Sequence, residues 1–309
     1  MPRTDRFTPL PRRRLLQAGL AVAGTALTAT ARSAPAASAA PDARSRAGQA
    51  GLAGLERRYG ARLGVYARNV RTGRTVTHRA GEPFAMCSTF KAFAAAAVLR
   101  DHASRAPLDR VVHYPPHDLL PNSPRTAEQV ATGMTVADLC AAAIQYSDNA
   151  AGNLLLREIG GPAGLTRFYR SLGDEVSRLD RWEPELNTAI PGDPRDTTTA
   201  AAAAASLERV ALGRALADAD RERLVGWLKG NTTSAERFRK GLPAGWVVAD
   251  KTGTGDYASA HDIGVAWTTR GTPLVLAVLS GKSTRDAPVD QALIADAAAI
   301  VARTLAPGE

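Results

Sequence analysis

A serine with a lysine three residues on, Ser88-Thr89-Phe90-Lys91, is the first place where this sequence has the means for chemistry. Residues three apart on a helix share a face, so a helix here sets the Lys91 amine beside the Ser88 hydroxyl. A serine is a weak nucleophile until a neighbouring base takes its proton. At a helix N-terminus, backbone N–H groups and the positive end of the dipole also face a developing oxyanion. A serine N-cap followed by a surface lysine has the same spelling, so the motif gains weight only from its company.

Three further groups supply that company. Ser147-Asp148-Asn149 sits at a polar junction between two helical patterns. Lys251-Thr252-Gly253, followed by Thr254, closes a predicted strand, where glycine lets a ligand approach the backbone. Arg181-Trp182-Glu183-Pro184-Glu185-Leu186-Asn187 lies in a long irregular segment. There the Glu183 carboxylate and the Asn187 amide are spaced to hold one water between them. Each group has an ordinary reading as a solvated loop, junction or strand end. Together, in this order, they describe a nucleophile, a base and a substrate anchor.

The elements that must position them follow from periodicity. Residues 41–58 read as a helix with Leu52 and Leu55 on one stripe. Strands are expected at 63–69 and 75–78, turned through Arg71-Thr72-Gly73-Arg74. The alanine-rich run 89–101 favours a helix. Residues 113–133, with four prolines, read as loop. Thr135 and Asp138 form a capping box ahead of a helix. Another helix spans about 149–159 and stops at Gly160-Gly161-Pro162. Residues 178–196 read as a long loop, of a length that is uncommon without a function. Ala200–Ala205 behind three threonines read as a capped helix. Strands return at 246–252, 261–267 and 273–280, and a helix at about 288–305 closes the chain. The fold class expected is α/β of the α+β type: an antiparallel sheet built from both chain ends, flanked by helices, with an all-helical lobe inserted. The sheet lobe is expected at 41–84 and 229–309 and the helical lobe at 85–228, with the active site between them.

With these motifs in this order and context, the chain resembles the class A β-lactamases, over about residues 43–305. The resemblance implies hydrolysis of the β-lactam ring of penicillins, with cephalosporins as further candidates, and hence antibiotic resistance. It implies that Ser88 is acylated and that the N–H groups of Ser88 and Thr254 form the oxyanion hole. Lys91 activates Ser88, or Glu183 does so through a water, an alternative the family leaves open. Ser147 relays a proton to the departing lactam nitrogen. Asn149 binds the substrate's side-chain amide. Glu183 and Asn187 hold the deacylating water, and Lys251, Thr252, Gly253 and Thr254 bind the substrate carboxylate. Arg181 and Asp196 are placed to clamp the long loop, and Glu183–Pro184 is a candidate cis bond. A D-Ala-D-Ala peptidase of the penicillin-binding type, or a β-lactam sensor, shares the serine, lysine and asparagine motifs but deacylates slowly. The Glu183/Asn187 loop argues against both.

Departures from the family pattern carry information too. Where many members have an arginine beyond the Lys-Thr-Gly strand, this chain has Ala260, and Arg237 resembles its substitute. Where many have a tyrosine at the cleft mouth, it has Asn122, beside Leu120 and Pro121.

Charge bounds the partners. The chain carries a formal +9, of which residues 1–40 contribute +5 through six arginines and one aspartate. The remainder shows no basic block with interleaved aromatics, so no nucleic-acid partner is expected. Arg12-Arg13-Arg14-Leu15-Leu16-Gln17, a weakly apolar stretch and the small-residue run 33–40 resemble a twin-arginine export signal. The expectation is a secreted or periplasmic monomer, without a membrane segment after cleavage. No cofactor is implied. His102, His113 and His117 lack metal-ligand spacing, so no metal is expected.

In an exported protein Cys87 and Cys140 are free to pair. Relatives that bridge either position place a cysteine where this chain has Gly255 or Ala95, so the resemblance implies two free thiols. Alkylation of the denatured, unreduced mature protein is expected to add two labels by mass. A protein that takes none carries a Cys87–Cys140 bridge instead.

Overall fold

Valine, leucine and alanine alternate in runs too short for helices near both ends of the chain, and these runs meet in one sheet. The computed structural model describes residues 43–101 and 106–309. The export signal read in residues 1–40, and His102, lie outside the described residues. Helix α1 (Ala43–Tyr59) buries Leu52 and Leu55. It is followed by the expected hairpin, β1 (Arg62–Asn69) and β2 (Thr75–His78). Gly73 turns the hairpin at φ +74°, in the left-handed region where a side chain is strained. After a short strand β3 (Pro83–Ala85), a 3₁₀ turn Cys87–Thr89 enters α2 (Phe90–Asp101).

The middle of the chain runs through β4 (Val111–Val112), α3 (Pro124–Glu128), β5 (Met134–Thr135), α4 (Val136–Gln145), α5 (Asn149–Glu158) and α6 (Gly161–Ser171). The long loop then leads to β6 (Thr197–Thr199), α7 (Ala200–Ala211), α8 (Asp218–Lys229) and α9 (Phe238–Gly241). The closing elements are β7 (Val247–Gly255), β8 (Ser259–Trp267), β9 (Pro273–Gly281) and α10 (Gln291–Leu305).

The main sheet has the order β2-β1-β9-β8-β7, and every pair is antiparallel. Strands from both chain ends thus form one sheet, as the sequence predicts. Leu63, Val65 and Ala67 of β1 pack with Leu52 of α1 and with Leu293 and Val301 of α10. Ile263, Val265, Val275 and Ala277 belong to the core shared with α7 and the other helices. Both faces are therefore covered, which is why β9 reads as an unbroken apolar run.

Helix α2 is buried from Phe90 to Leu99, on every side. Such a helix belongs at the centre of a core. Its alanines let α4, α5, α6 and α8 close around it. Lys91 is thereby carried into the middle of the protein.

The structure corrects several expectations. Gly160-Gly161-Pro162 ends α5 but also starts α6: Gly160 caps it at φ +84°, and Pro162 occupies a first-turn position that lacks a hydrogen-bond partner in any case. Residues 113–133, read as loop, hold α3, again with a proline at its start. Helix α8 was not expected, and only Leu224 and Leu228 of it are buried. Strand β7 runs three residues beyond the expected end, to Gly255.

The long loop is tied at its neck and its middle. Arg181 Nε donates to Asp196 Oδ2 at 2.5 Å, and the backbone N–H groups of Asp180 and Arg181 donate to Asp196 Oδ1 at 2.7 and 2.9 Å. Asp196 is fully buried, so this is not a screened surface pair. Leu186, also fully buried, pins the loop's middle into the helical core. Leu186→Ala is expected to lower stability by about 2–5 kcal/mol in urea denaturation, by lost transfer energy plus the cavity left behind. A loss under about 0.5 kcal/mol would show that the loop is held by its neck alone.

Candidate active site

The 3₁₀ turn that carries Ser88 is itself strained into place. Cys87 adopts φ +43°, and the turn is closed by Thr89, whose N–H and hydroxyl both donate to the Met86 carbonyl, at 3.1 and 2.6 Å. Ser88 therefore sits just ahead of α2, with Lys91 in the first turn of the helix. Lys91 Nζ donates to Ser88 Oγ at 3.0 Å. The same nitrogen donates to the Ser147 carbonyl at 2.7 Å and to Asn149 Oδ1 at 2.6 Å, and it lies 3.0 Å from Glu183 Oε1. Ser88 Oγ donates to Glu183 Oε1 at 3.3 Å. Ser88 thus stands between an amine and a carboxylate. The Lys91 and Glu183 side chains are both wholly inaccessible to solvent.

Burial opposes charge on the amine and lowers the Lys91 pKa below the ordinary lysine range, with Glu183 pulling the other way. Lys251 is pushed well below that range, first by burial and then by repulsion from Lys91. Lys251 Nζ donates to Ser147 Oγ at 3.1 Å and to the Thr252 carbonyl at 2.8 Å. Ser147 thus bridges the two lysines, its carbonyl serving one and its hydroxyl the other. It adopts φ +56°, a conformation that costs a non-glycine residue free energy and that aims both groups inward.

Helix α5 divides the labour of its motif. Asp148 is structural: its carboxylate caps the helix at the Ala151 N–H, 2.9 Å away, and accepts from the N–H groups of Arg125 and Thr126. Asn149 Nδ2 donates to the Pro121 carbonyl at 2.8 Å, so its amide joins Lys91 to the loop at the cleft mouth. Asn122, in that loop, adopts φ +60° and donates to the Ser147 carbonyl at 3.1 Å. Gly152, one turn on, leaves room for the lysine; a Cβ there would stand 2.9 Å from Lys91 Cε.

Glu183 is oriented from three sides. Asn187 Nδ2 donates to Glu183 Oε2, and Asn153 bonds both the N–H and the carbonyl of Glu183, at 2.9 and 3.0 Å. Asn187 Oδ1 is buried without a partner among the described residues. The Glu183–Pro184 bond is cis. Sequence reasoning missed Asn153; its position four residues after Asn149, on the same helical face, was the available signal.

Strand β7 is an edge strand, and it approaches the Cys87–Thr89 turn closely. A Cβ on Gly253 would lie 3.1 Å from the Met86 carbonyl, and one on Gly255 would lie 2.8 Å from Cys87 Sγ. Thr254 is exposed beside this approach. Arg237, nearly buried, donates to the carbonyls of Gly253 and His261 at 2.8 and 2.7 Å, and to Thr254 Oγ1 at 2.7 Å. Ala260 is fully buried in the apolar core beneath. Thr252 pairs with Thr233, and Gln291 of α10 accepts from Arg237 Nε; neither partner was foreseen. His261 stays neutral, its pKa lowered to about 3 by burial and by Arg237. Cys87 and Cys140 are free and buried, and burial raises both thiols.

The structure therefore brings together Ser88, Lys91, Ser147, Asn149, Glu183, Asn187 and Lys251, with Thr252, Gly253, Thr254 and Arg237 along the adjoining strand. A separate cavity of about 650 Å³ lies behind the long loop, lined by Arg62, Phe84, Arg181, Ile190 and Lys282, and touches none of these residues.

The chain is similar to known proteins over most of its length. A model of the beta-lactamase enzyme family matches residues 49–305. Beta-lactamase AST-1 of Nocardia asteroides is 50% identical over 307 residues, covering 97% of this chain and 99% of that protein. The carbapenem-hydrolyzing beta-lactamase KPC of Klebsiella oxytoca is 52% identical over 249 residues, covering 80% of this chain and 85% of that protein. The solved structure of the beta-lactamase from Streptomyces albus G aligns with a TM-score of 0.82 at 51% identity, covering 84% of this chain and 99% of that one. The chain belongs to the β-lactamase enzyme family and, within it, to the class A serine enzymes.

Proposed function

We propose that the protein hydrolyses the β-lactam ring of penicillins through an acyl-enzyme on Ser88, and so confers antibiotic resistance. The observation that carries this reading is the position of the Ser88 hydroxyl between Lys91 Nζ and Glu183 Oε1, with Asn187 on the other oxygen of Glu183. Ser88 Oγ attacks the lactam carbonyl and gives up its proton to the Lys91–Glu183 pair. The oxyanion is received by the N–H groups of Ser88 and Thr254, and donors aimed at developing charge in a dry site supply a large share of such catalysis. As the carbonyl re-forms, the C–N bond breaks, and Ser147, fed by the two lysines, delivers a proton to the nitrogen. Glu183 then takes a proton from a water held by Asn187, the water attacks the ester, and Ser88 is released with its proton.

Substrate binding follows the same geometry. Arg237, Lys251, Thr252 and Thr254 converge on one stretch of the edge strand and receive the substrate carboxylate, with Gly253 keeping the strand close to the nucleophile. Asn149 offers its amide to the substrate's side chain. Residues 1–40 act as a twin-arginine-type export signal, and the mature protein works outside the cytoplasm as a monomer. No helix among the described residues is long and apolar enough to cross a membrane.

Glu183→Ala tests the second half of the cycle. With benzylpenicillin the variant is expected to stall as an adduct on Ser88, visible by intact mass, with kcat lowered at least about a thousandfold by loss of the base. The wild type turns over many times. A wild type that itself stops after one equivalent would identify a slowly deacylating penicillin-binding protein instead.

A further inference from the structure

Asp250 of β7 and Asp262 of β8 are fully buried on adjacent strands. Thr252 is paired with Asp262, and Asp250 with Gly264, so the two carboxyl groups are diagonal neighbours on one face of the sheet. Gly264 puts no side chain beside Asp250; a Cβ there would lie 2.9 Å from Asp250 Cβ.

Each carboxyl group has one oxygen provided with donors. Asp250 Oδ1 accepts from Asn231 Nδ2 at 3.2 Å and from Arg239 Nη2 at 3.1 Å. Asp262 Oδ2 accepts from Ser234 Oγ at 2.9 Å and from the Phe238 N–H at 3.2 Å. Asp250 Oδ2 and Asp262 Oδ1 are buried and have no donor among the described residues. Two buried carboxyl groups on one sheet face, each with an oxygen that lacks a donor, are costly unless one of them keeps its proton and supplies the bond itself.

We propose that Asp262 is held as a neutral acid whose Oδ1 proton is donated to Asp250 Oδ2, and that this shared proton is a positioning device for Arg237. The inference rests on the reading of Arg237 as a partner of the substrate carboxylate. Asp250 fastens the Asn231 and Arg239 side chains to β7, and Asp262 fastens Ser234 and Phe238 to β8. Arg237 lies within the segment so fastened, and from that place its donors reach Gly253, His261 and Thr254.

The charged groups facing the pair are Arg237 and Arg239 from this segment and Lys251 from β7, while α10 contributes the neutral Gln291. Burial and the neighbouring Asp250 carry the Asp262 pKa well above the usual carboxylate range, against the lowering pull of Arg237. Removal of the proton leaves two like charges together in a dry interior. Their repulsion loosens the strap and moves Arg237 away from the edge strand. Ser88, Lys91 and Glu183 touch neither acid, so the penalty falls first on KM, with a smaller change in kcat through Lys251.

The test pairs a neutron structure of the wild-type protein at neutral pH with KM and kcat for benzylpenicillin across pH. A deuteron bound to Asp262 Oδ1 and directed at Asp250 Oδ2 is expected. Wild-type KM rises on the alkaline side with kcat little changed. Asp262→Asn, whose amide N–H replaces the acid O–H, keeps the neutral-pH KM and loses that rise. Two ionised carboxylates in the neutron map, or an Asp262→Asn profile that tracks the wild type, overturn the proposal. Arg237→Ala is expected to raise the neutral-pH KM about tenfold, the loss of a charge-assisted hydrogen bond. An unchanged KM there overturns the role given to Arg237, while the neutron map still decides the proton.

Discussion

Two lysine amines are buried within one hydrogen-bond network, and the rest of the protein is arranged to make that tolerable. An isolated ammonium ion is very costly to remove from water, and it neutralises unless it is paired. Lys91 has an acid, a carbonyl and an amide oxygen around it; Lys251 has a hydroxyl and a carbonyl. Neither has solvent. The balance leaves Lys91 a weaker holder of its proton than a surface lysine, beside a serine that needs to lose one.

That arrangement explains the architecture around it. A helix buried on all sides is an unusual place for a lysine, and α2 accepts one because Gly152 on α5 and the alanines of α2 make room. The left-handed residues Cys87, Asn122 and Ser147 surround the same spot, two of them aiming a carbonyl or a donor at the network. Strain at these positions is offset by packing elsewhere, in the two cores that grip the sheet from either side. The long loop brings the acid to the network from the far side, and the Arg181–Asp196 pair and Leu186 fix its path. Strand β7 brings Lys251 and the stretch Thr252–Thr254 from the third side.

Much of this was legible in the sequence, because chemistry-bearing residues come in short local patterns. Ser88 and Lys91, or Glu183 and Asn187, are weak signals singly and become legible once the four motifs stand together, while the capping box at Thr135 and the hairpin at Gly73 can be read from spacing alone. The sheet was predicted from both ends because its strands are apolar and bounded by turn residues. What stayed hidden has a physical reason in each case. Gly160-Gly161-Pro162 spells a helix stop, and the same residues also open α6. Helix α8 buries too few residues to show a clear stripe. Asn153, Thr233 and Gln291 are ordinary surface-type residues until the tertiary fold sets them against Glu183, Thr252 and Arg237. Asp250 and Asp262 are twelve residues apart, and only the register of β7 with β8 makes them neighbours.

Burial weakens the hold of Lys91 on its proton, and the acylation proposed for Ser88 draws on that. This is tested most directly by NMR titration of the protein with isotope-labelled lysine side chains, the Lys91 signal assigned by its loss in Lys91→Met. Lys91 Nζ is expected to give up its proton below the ordinary lysine range. A Lys91 that titrates at or above that range would contradict it, and would leave Glu183 as the base that activates Ser88.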